Sequence, residues 1–161
     1  MTALAHHLTI VEGGNALSPF RAAALLKRVA AVAPGVQGVS ARYVHIVSSE
    51  QPLGPAALKT VTRLLTYGEA YQGPSLREGE PEVTIVVAPR LGTVSPWASK
   101  ATDIAHSCEV PIQRVERVTE YRLQVAEQLD HEEWHAVAAL LHDRMTESVL
   151  QDRDDARHLF D

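Results

Sequence analysis

Two amphipathic stretches of this 161-residue chain share one apolar pattern at a fixed spacing. Leu53, Leu58, Val61, Leu64 and Leu65 each find an apolar residue 76 positions on, at Leu129, Trp134, Val137, Leu140 and Leu141. Any two amphipathic helices can be slid into register, so the match by itself leaves chance open. If it marks a duplication, each half carries an apolar face that only the other half can cover, and the two must fold together.

The order of the remaining elements agrees with such a repeat. Leu8 and Ile10 lie in a first strand, closed by the turn chemistry of Gly13-Gly14-Asn15. Ser18 suits an N-cap with Pro19 at the first helical position, and Ala22, Leu25, Leu26, Val29 and Ala33 recur at helical spacing until Pro34-Gly35. Residues 36–48 are rich in β-branched and aromatic side chains. A break near Ser40-Ala41 allows one long strand or a hairpin, and two paired strands are the reading favoured here. Pro55 opens a second helix that ends at Tyr67-Gly68, and the polar stretch 69–81, with Gly73, Pro74 and Gly79, reads as an internal linker. A strand over 83–88 follows, then a loop and a short helix to about Cys108. Strands near 112–118 and 121–126 come next, and a last helix runs from the N-cap candidate Asp130 to about Leu150. The element order is thus βαββα, linker, βαββα. The predicted fold class is α+β: duplicated ferredoxin-like βαββα units whose antiparallel sheets pack with helices. The two halves span about 1–70 and 80–150 of one domain, 1–150.

Composition narrows the function. Against 20 Asp and Glu the chain has only 15 Lys and Arg, a net charge of −5, so it offers no basic footprint for nucleic acid and no polybasic membrane segment. The apolar run over 83–88, broken only by Thr84, is far short of the roughly 20 residues that cross a bilayer. A single cysteine, Cys108, permits no internal disulfide and suits a reducing compartment. The N-terminal residues lack the layout of a secretory signal. The expected location is cytoplasmic.

Three motifs invite chemical readings. His131-Glu132-Glu133-Trp134-His135 is formally H-E-x-x-H, but it sits at a helix start with no third-ligand signature, so surface histidines are preferred over a zinc site. Cys108 has His106 nearby in sequence, yet residues two apart on a helix face different ways, which favours a buried or half-buried structural thiol. The run from Pro89 to Ile104 holds more promise. It follows the strongest strand and leads into a helix, so its hydroxyls, backbone N–H groups and Lys100 could meet an anion or a partner's carbonyl. The competing reading is plain capping, with Ser95 or Ser99 as N-cap and Pro96 in the first turn. Arg90, Lys100 and a Trp in an aromatic-poor chain favour a functional surface.

These residues carry a resemblance. Pro-Arg-x-Gly-Thr-x-Ser-Pro-Trp-x-Ser-Lys-Ala-Thr-Asp-Ile-Ala-His over 89–106 resembles a signature of the large, single-chain formylglycinamide ribonucleotide amidotransferases, the PurL type of phosphoribosylformylglycinamidine synthase. Further pieces agree: Ala16-Leu17-Ser18-Pro19-Phe20-Arg21, Tyr43-Val44-His45, Leu64-Leu65-x-Tyr67-Gly68, Val115-Glu116-Arg117 and Leu141-His142-Asp143-Arg144-Met145-Thr146-Glu147. The resemblance implies a part in purine synthesis, where ATP, glutamine and formylglycinamide ribonucleotide give the amidine, glutamate, ADP and phosphate. It covers only the N-terminal domain of such an enzyme, which is similar to a dimer of the PurS small subunit. The ATP and Mg²⁺ sites and the glutaminase Cys-His-Glu triad belong to other domains; no cofactor and no catalytic residue are expected in this chain, and Cys108 does not inherit the nucleophile. Residues 151–161 would begin the linker to the following domains.

The resulting expectation is a non-catalytic docking and coupling domain whose partners are the synthetase and glutaminase domains. Its contact motif would comprise Arg90, Gly92, Thr93, Ser95, Pro96, Trp97, Ser99, Lys100, Thr102 and Asp103. The rival is a small stand-alone domain that binds an anion or nucleotide through the loop from Arg90 to Lys100. Self-association through apolar surface is a weaker third reading.

Overall fold

A computed structural model describes residues 7–71 and 81–161, so most of the linker stretch over 69–81 lies outside the described residues. The first half comprises β1 (His7–Asn15), α1 (Pro19–Val32), β2 (Val36–Ser49) and α2 (Pro55–Leu64). The second comprises β3 (Glu82–Pro89), α3 (Pro96–Ser107), β4 (Arg114–Val125) and α4 (His131–Leu141). β5 (Glu147–Leu150) and a 3-10 helix (Arg153–Phe160) complete the chain. First-half elements start at residues 7, 19, 36 and 55, and second-half elements at 82, 96, 114 and 131, giving offsets of 75, 77, 78 and 76.

The fold is α+β, with one five-stranded antiparallel sheet in the order β1-β2-β4-β3-β5. The hairpin reading of 36–48 is corrected: β2 is a single strand of 14 residues. The two strands read at 112–118 and 121–126 are likewise one, β4. The cause is their mutual pairing, which runs from Ser48 opposite Arg114 to Val36 opposite Val125 and carries both strands through the supposed breaks. Residues 44–49 are all buried, so the alternation that marks a half-exposed strand is missing there.

α4 also ends earlier than its sequence suggests. It stops at Leu141, where His142 turns extended, and the Asp143 carboxylate accepts the Met145 N–H at 2.8 Å. The chain then pairs with β3 as β5, Val149 opposite Val87, where helix was expected to Leu150. Gly13 and Gly14, read as a closing turn, instead form an irregularity within β1.

Local capping explains the helix starts. The Ser18 hydroxyl accepts the Arg21 N–H at 3.3 Å, the Ser95 hydroxyl accepts that of Ala98 at 3.0 Å, and Asp130 with Glu133 makes a capping box. All four helices cover one face of the sheet. α1 and α4 bury Val29, Val137 and Leu141 against Ile85 and Leu123 at one end, while α2 and α3 bury Val61, Leu65 and Ala105 against Val47 and Val115 at the other. The repeat pairs thus match in space: Val61 and Val137 are both fully buried. On the opposite face the 3-10 helix lays Ala156 and Leu159 over Val44, Ile46, Val86 and Val118. Burying Leu159 contributes about 2 kcal/mol. Arg153 and Arg114 fasten this helix further, bonding Glu120 at 2.8 Å and the Leu159 carbonyl at 2.7 Å.

Candidate functional site

Between the two helix pairs, the helix-facing side of the sheet is polar. β2 presents Tyr43 and His45 there, and β4 places Thr119 and Arg117 directly opposite them. The segment just after α2 adds Tyr67 and the first turn of α3 adds Trp97, which stacks on His45 with ring centroids 5.6 Å apart. The Arg117 guanidinium lies 4.2 Å from the Tyr43 ring centroid and 4.5 Å from that of Trp97.

Hydrogen bonds order this cluster. His45 Nδ1 is 3.1 Å from the Val11 carbonyl, which can only accept, so the network assigns the ring proton to Nδ1. Nε2 then accepts from the Tyr67 hydroxyl at 2.7 Å, and the Tyr67 oxygen accepts from Arg117 Nη1 at 3.1 Å. Burial pushes the His45 pKa down to about 4, the Arg117 charge adds to that, and the bond to Val11 opposes it. Burial also raises the Tyr67 pKa, against the pull of Arg117. At neutral pH the imidazole and phenol are therefore uncharged, and the guanidinium is the one charge in the cluster. Gly13 makes room for the ring: a Cβ there would stand 2.5 Å from His45 Cε1 and 2.9 Å from the backbone carbonyl oxygen of Tyr43.

Beside the cluster opens a cavity of about 610 Å³, lined among others by Arg90, Thr93, Ser95, Trp97, Arg117 and Glu147. The ten motif residues divide around it. Arg90, Thr93, Ser95, Pro96 and Trp97 line the cavity, whereas Lys100 lines a separate apolar cleft of about 340 Å³ between α2 and α3, with Trp97 forming a wall of both. Gly92 takes a left-handed turn, φ +88°. The Thr93 hydroxyl donates to the Arg90 carbonyl at 2.6 Å, and the Thr102 hydroxyl accepts the Val115 N–H at 3.0 Å, tying α3 to β4. Ser95 is the helix cap, and Ser99 and Asp103 are exposed. The structure thus brings half of the motif together and separates Lys100 from Arg90.

Tyr43, His45, Tyr67 and Arg117 were not among the predicted site residues, although their sequence fragments helped to carry the resemblance. Their signal was available in the strands: Tyr43, His45 and Arg117 are polar groups on the strand face that elsewhere carries Val47, Val115 and Leu123. No local pattern, however, reveals that His45 and Arg117 are neighbours across β2 and β4.

The other motifs resolve simply. His131 and His135 meet edge to face at 4.3 Å, and among the described residues no group of three or more His, Cys, Asp or Glu is placed to hold a metal ion. Cys108 is exposed at the end of α3, correcting the expectation of a buried or half-buried thiol, because the helix turns its apolar side to Ala98 and Ala105. His106 Nε2 bonds the Ile112 carbonyl at 2.9 Å. No helix among the described residues is long and apolar enough to cross a membrane.

The family model described as formylglycinamide ribonucleotide amidotransferase N-terminal matches residues 42–160, a stretch that contains Tyr43, His45, Tyr67, Trp97, Arg117 and the residues named around the cavity. This chain belongs to that family, the N-terminal domain of formylglycinamide ribonucleotide amidotransferase.

Proposed function

We propose that the chain is the docking and coupling domain of this amidotransferase and carries out none of its bond-making steps. The observation that carries the reading is the family match over 42–160, the N-terminal domain of a ribonucleotide amidotransferase. The local chemistry supports a positional role. The Ser95, Thr93 and Thr102 hydroxyls brace the backbone, and His45 is buried between Trp97, Tyr67 and the Val11 carbonyl. Such a site holds a surface in shape. By keeping synthetase and glutaminase parts in register, the domain limits loss of ammonia to solvent, an orientation effect. ATP and Mg²⁺ act in the other parts. The anion-binding rival is weakened by the separation of Lys100 from Arg90 into two clefts.

The test is reconstitution. Adding this chain to the enzyme lacking its N-terminal domain is expected to restore glutamine-dependent amidation. Failure of the chain to associate with the remainder would refute the reading.

A further inference from the structure

Four arginines of the sheet and its covering helix reach carboxylates: Arg42 to Glu12, Arg114 to Glu116, Arg122 to Glu120, and Arg153 to Glu120 and Glu12. Arg117 differs from all of them. Half-buried and clamped between Tyr43 and Trp97, it gives one N–H to Tyr67 and has no carboxylate within ion-pair distance among the described residues. A partly desolvated guanidinium without a counter-ion is costly by itself and favours an incoming oxyanion, which it can grip with two parallel N–H donors.

The surroundings define which oxyanion fits. Arg90, exposed at the cavity wall, likewise has no carboxylate partner among the described residues. Glu147 lines the same cavity, its Oε1 accepting the Asp143 N–H at 2.9 Å. Two cations and one anion leave a single positive charge, which matches a carboxylate better than a doubly charged phosphate. Val94 and Met145, which also line the cavity, are large apolar side chains that are 54% and 76% exposed. Arginine and aromatic side chains clustered together are the usual anchors of a protein interface, and neighbouring contacts exclude water from them.

We infer that the Arg117 cavity is the anchor point of docking and receives an Asp or Glu side chain, flanked by apolar residues, from the remaining part of the amidotransferase. This rests on the docking reading and adds the chemistry of the partner. The test is the affinity of the chain for the separately produced remainder of the enzyme. Arg117→Gln should weaken association by about tenfold or more. Arg90→Gln, a change at the exposed rim that leaves the packed cluster intact, should weaken it by about threefold. Lys27→Gln on the exposed face of α1 should leave it unchanged. Circular dichroism melts establish that each variant is folded, and Arg90→Glu extends the test should Arg117→Gln fail to fold. Wild-type binding that neither arginine variant alters would overturn the inference and leave docking standing; absence of wild-type binding would remove both. Calorimetry of the chain with inorganic phosphate supplies the remaining arm. Phosphate binding that is lost in Arg117→Gln would make the cavity a small-anion site and overturn the inference.

Discussion

On the sheet face away from the four helices, charge is matched by charge: Arg42, Arg114, Arg122 and Arg153 are interleaved with Glu12, Glu116, Glu120 and Glu82, and the bonds of Arg114 and Arg153 pin the 3-10 helix in place. On the helix face Arg117 meets aromatic rings and a phenol, beside a histidine held neutral. The contrast separates arginines that complete the fold from one that the fold positions and leaves available. The ion pairs close one surface of the domain. The helix face keeps an open cavity at its centre.

The largest expected effect is on the closed face. Arg114→Met strands the carboxylate of Glu116, which is fully buried and already has one oxygen without a partner, and it also removes the bond to Leu159. A loss of about 3 kcal/mol is expected in urea unfolding. Burial raises the Glu116 pKa against the pull of Arg114, so protonation at acid pH relieves the stranded charge and shrinks the deficit. An unchanged unfolding midpoint would break the comparison at its base.

Gly13→Ala comes next, because the new Cβ would overlap His45 Cε1 and crowd the Tyr43 backbone carbonyl. About 2 kcal/mol of destabilisation is expected, with altered Trp97 fluorescence as the ring beneath it shifts.

Acidification separates the two faces further. His45 has a folded pKa near 4 against an ordinary 6.5, so below about pH 6.5 the unfolded chain takes up a proton that the native state refuses. Stability therefore falls as pH drops through that window, by about 1 kcal/mol at about pH 5.5. His45→Gln should remove this component. Burial works to raise the Glu120 pKa, but Arg153 and Arg122 hold it below the usual value of 4.5, so its contribution is lost only at lower pH. A wild-type profile parallel to that of His45→Gln between about pH 7 and about pH 5 would show that the imidazole is not held neutral.

The smallest change expected is in the stability of Arg117→Gln, less than about 1 kcal/mol, since its ring contacts and the relief of an unpaired charge offset one another. A loss as large as that of Arg114→Met would place Arg117 with the structural arginines.

Much of this was legible before the structure. Ser18-Pro19, Pro55, Ser95-Pro96 and Asp130 announce four helices through capping chemistry, and the apolar pattern shared 76 residues apart announces which faces α2 and α4 bury. The long strands were not legible, because burial of both faces over 44–49 erases the two-residue period and Ser40-Ala41 imitates a turn. The end of α4 at Leu141 was hidden because residues 142–150 hold neither the Gly nor the Pro that usually announces a helix stop. The site was half legible: the loop into α3 stands out as a motif and brings Arg90, but the second cation, Arg117, and the space left by Gly13 reach it only through strand register.

The central claim concerns coupling. In the enzyme reconstituted with this chain, amidine product and glutamate are measured together during turnover on glutamine. The account predicts equal amounts with the chain present and glutamate in excess over product when the chain is omitted. An identical ratio with and without the chain would contradict it.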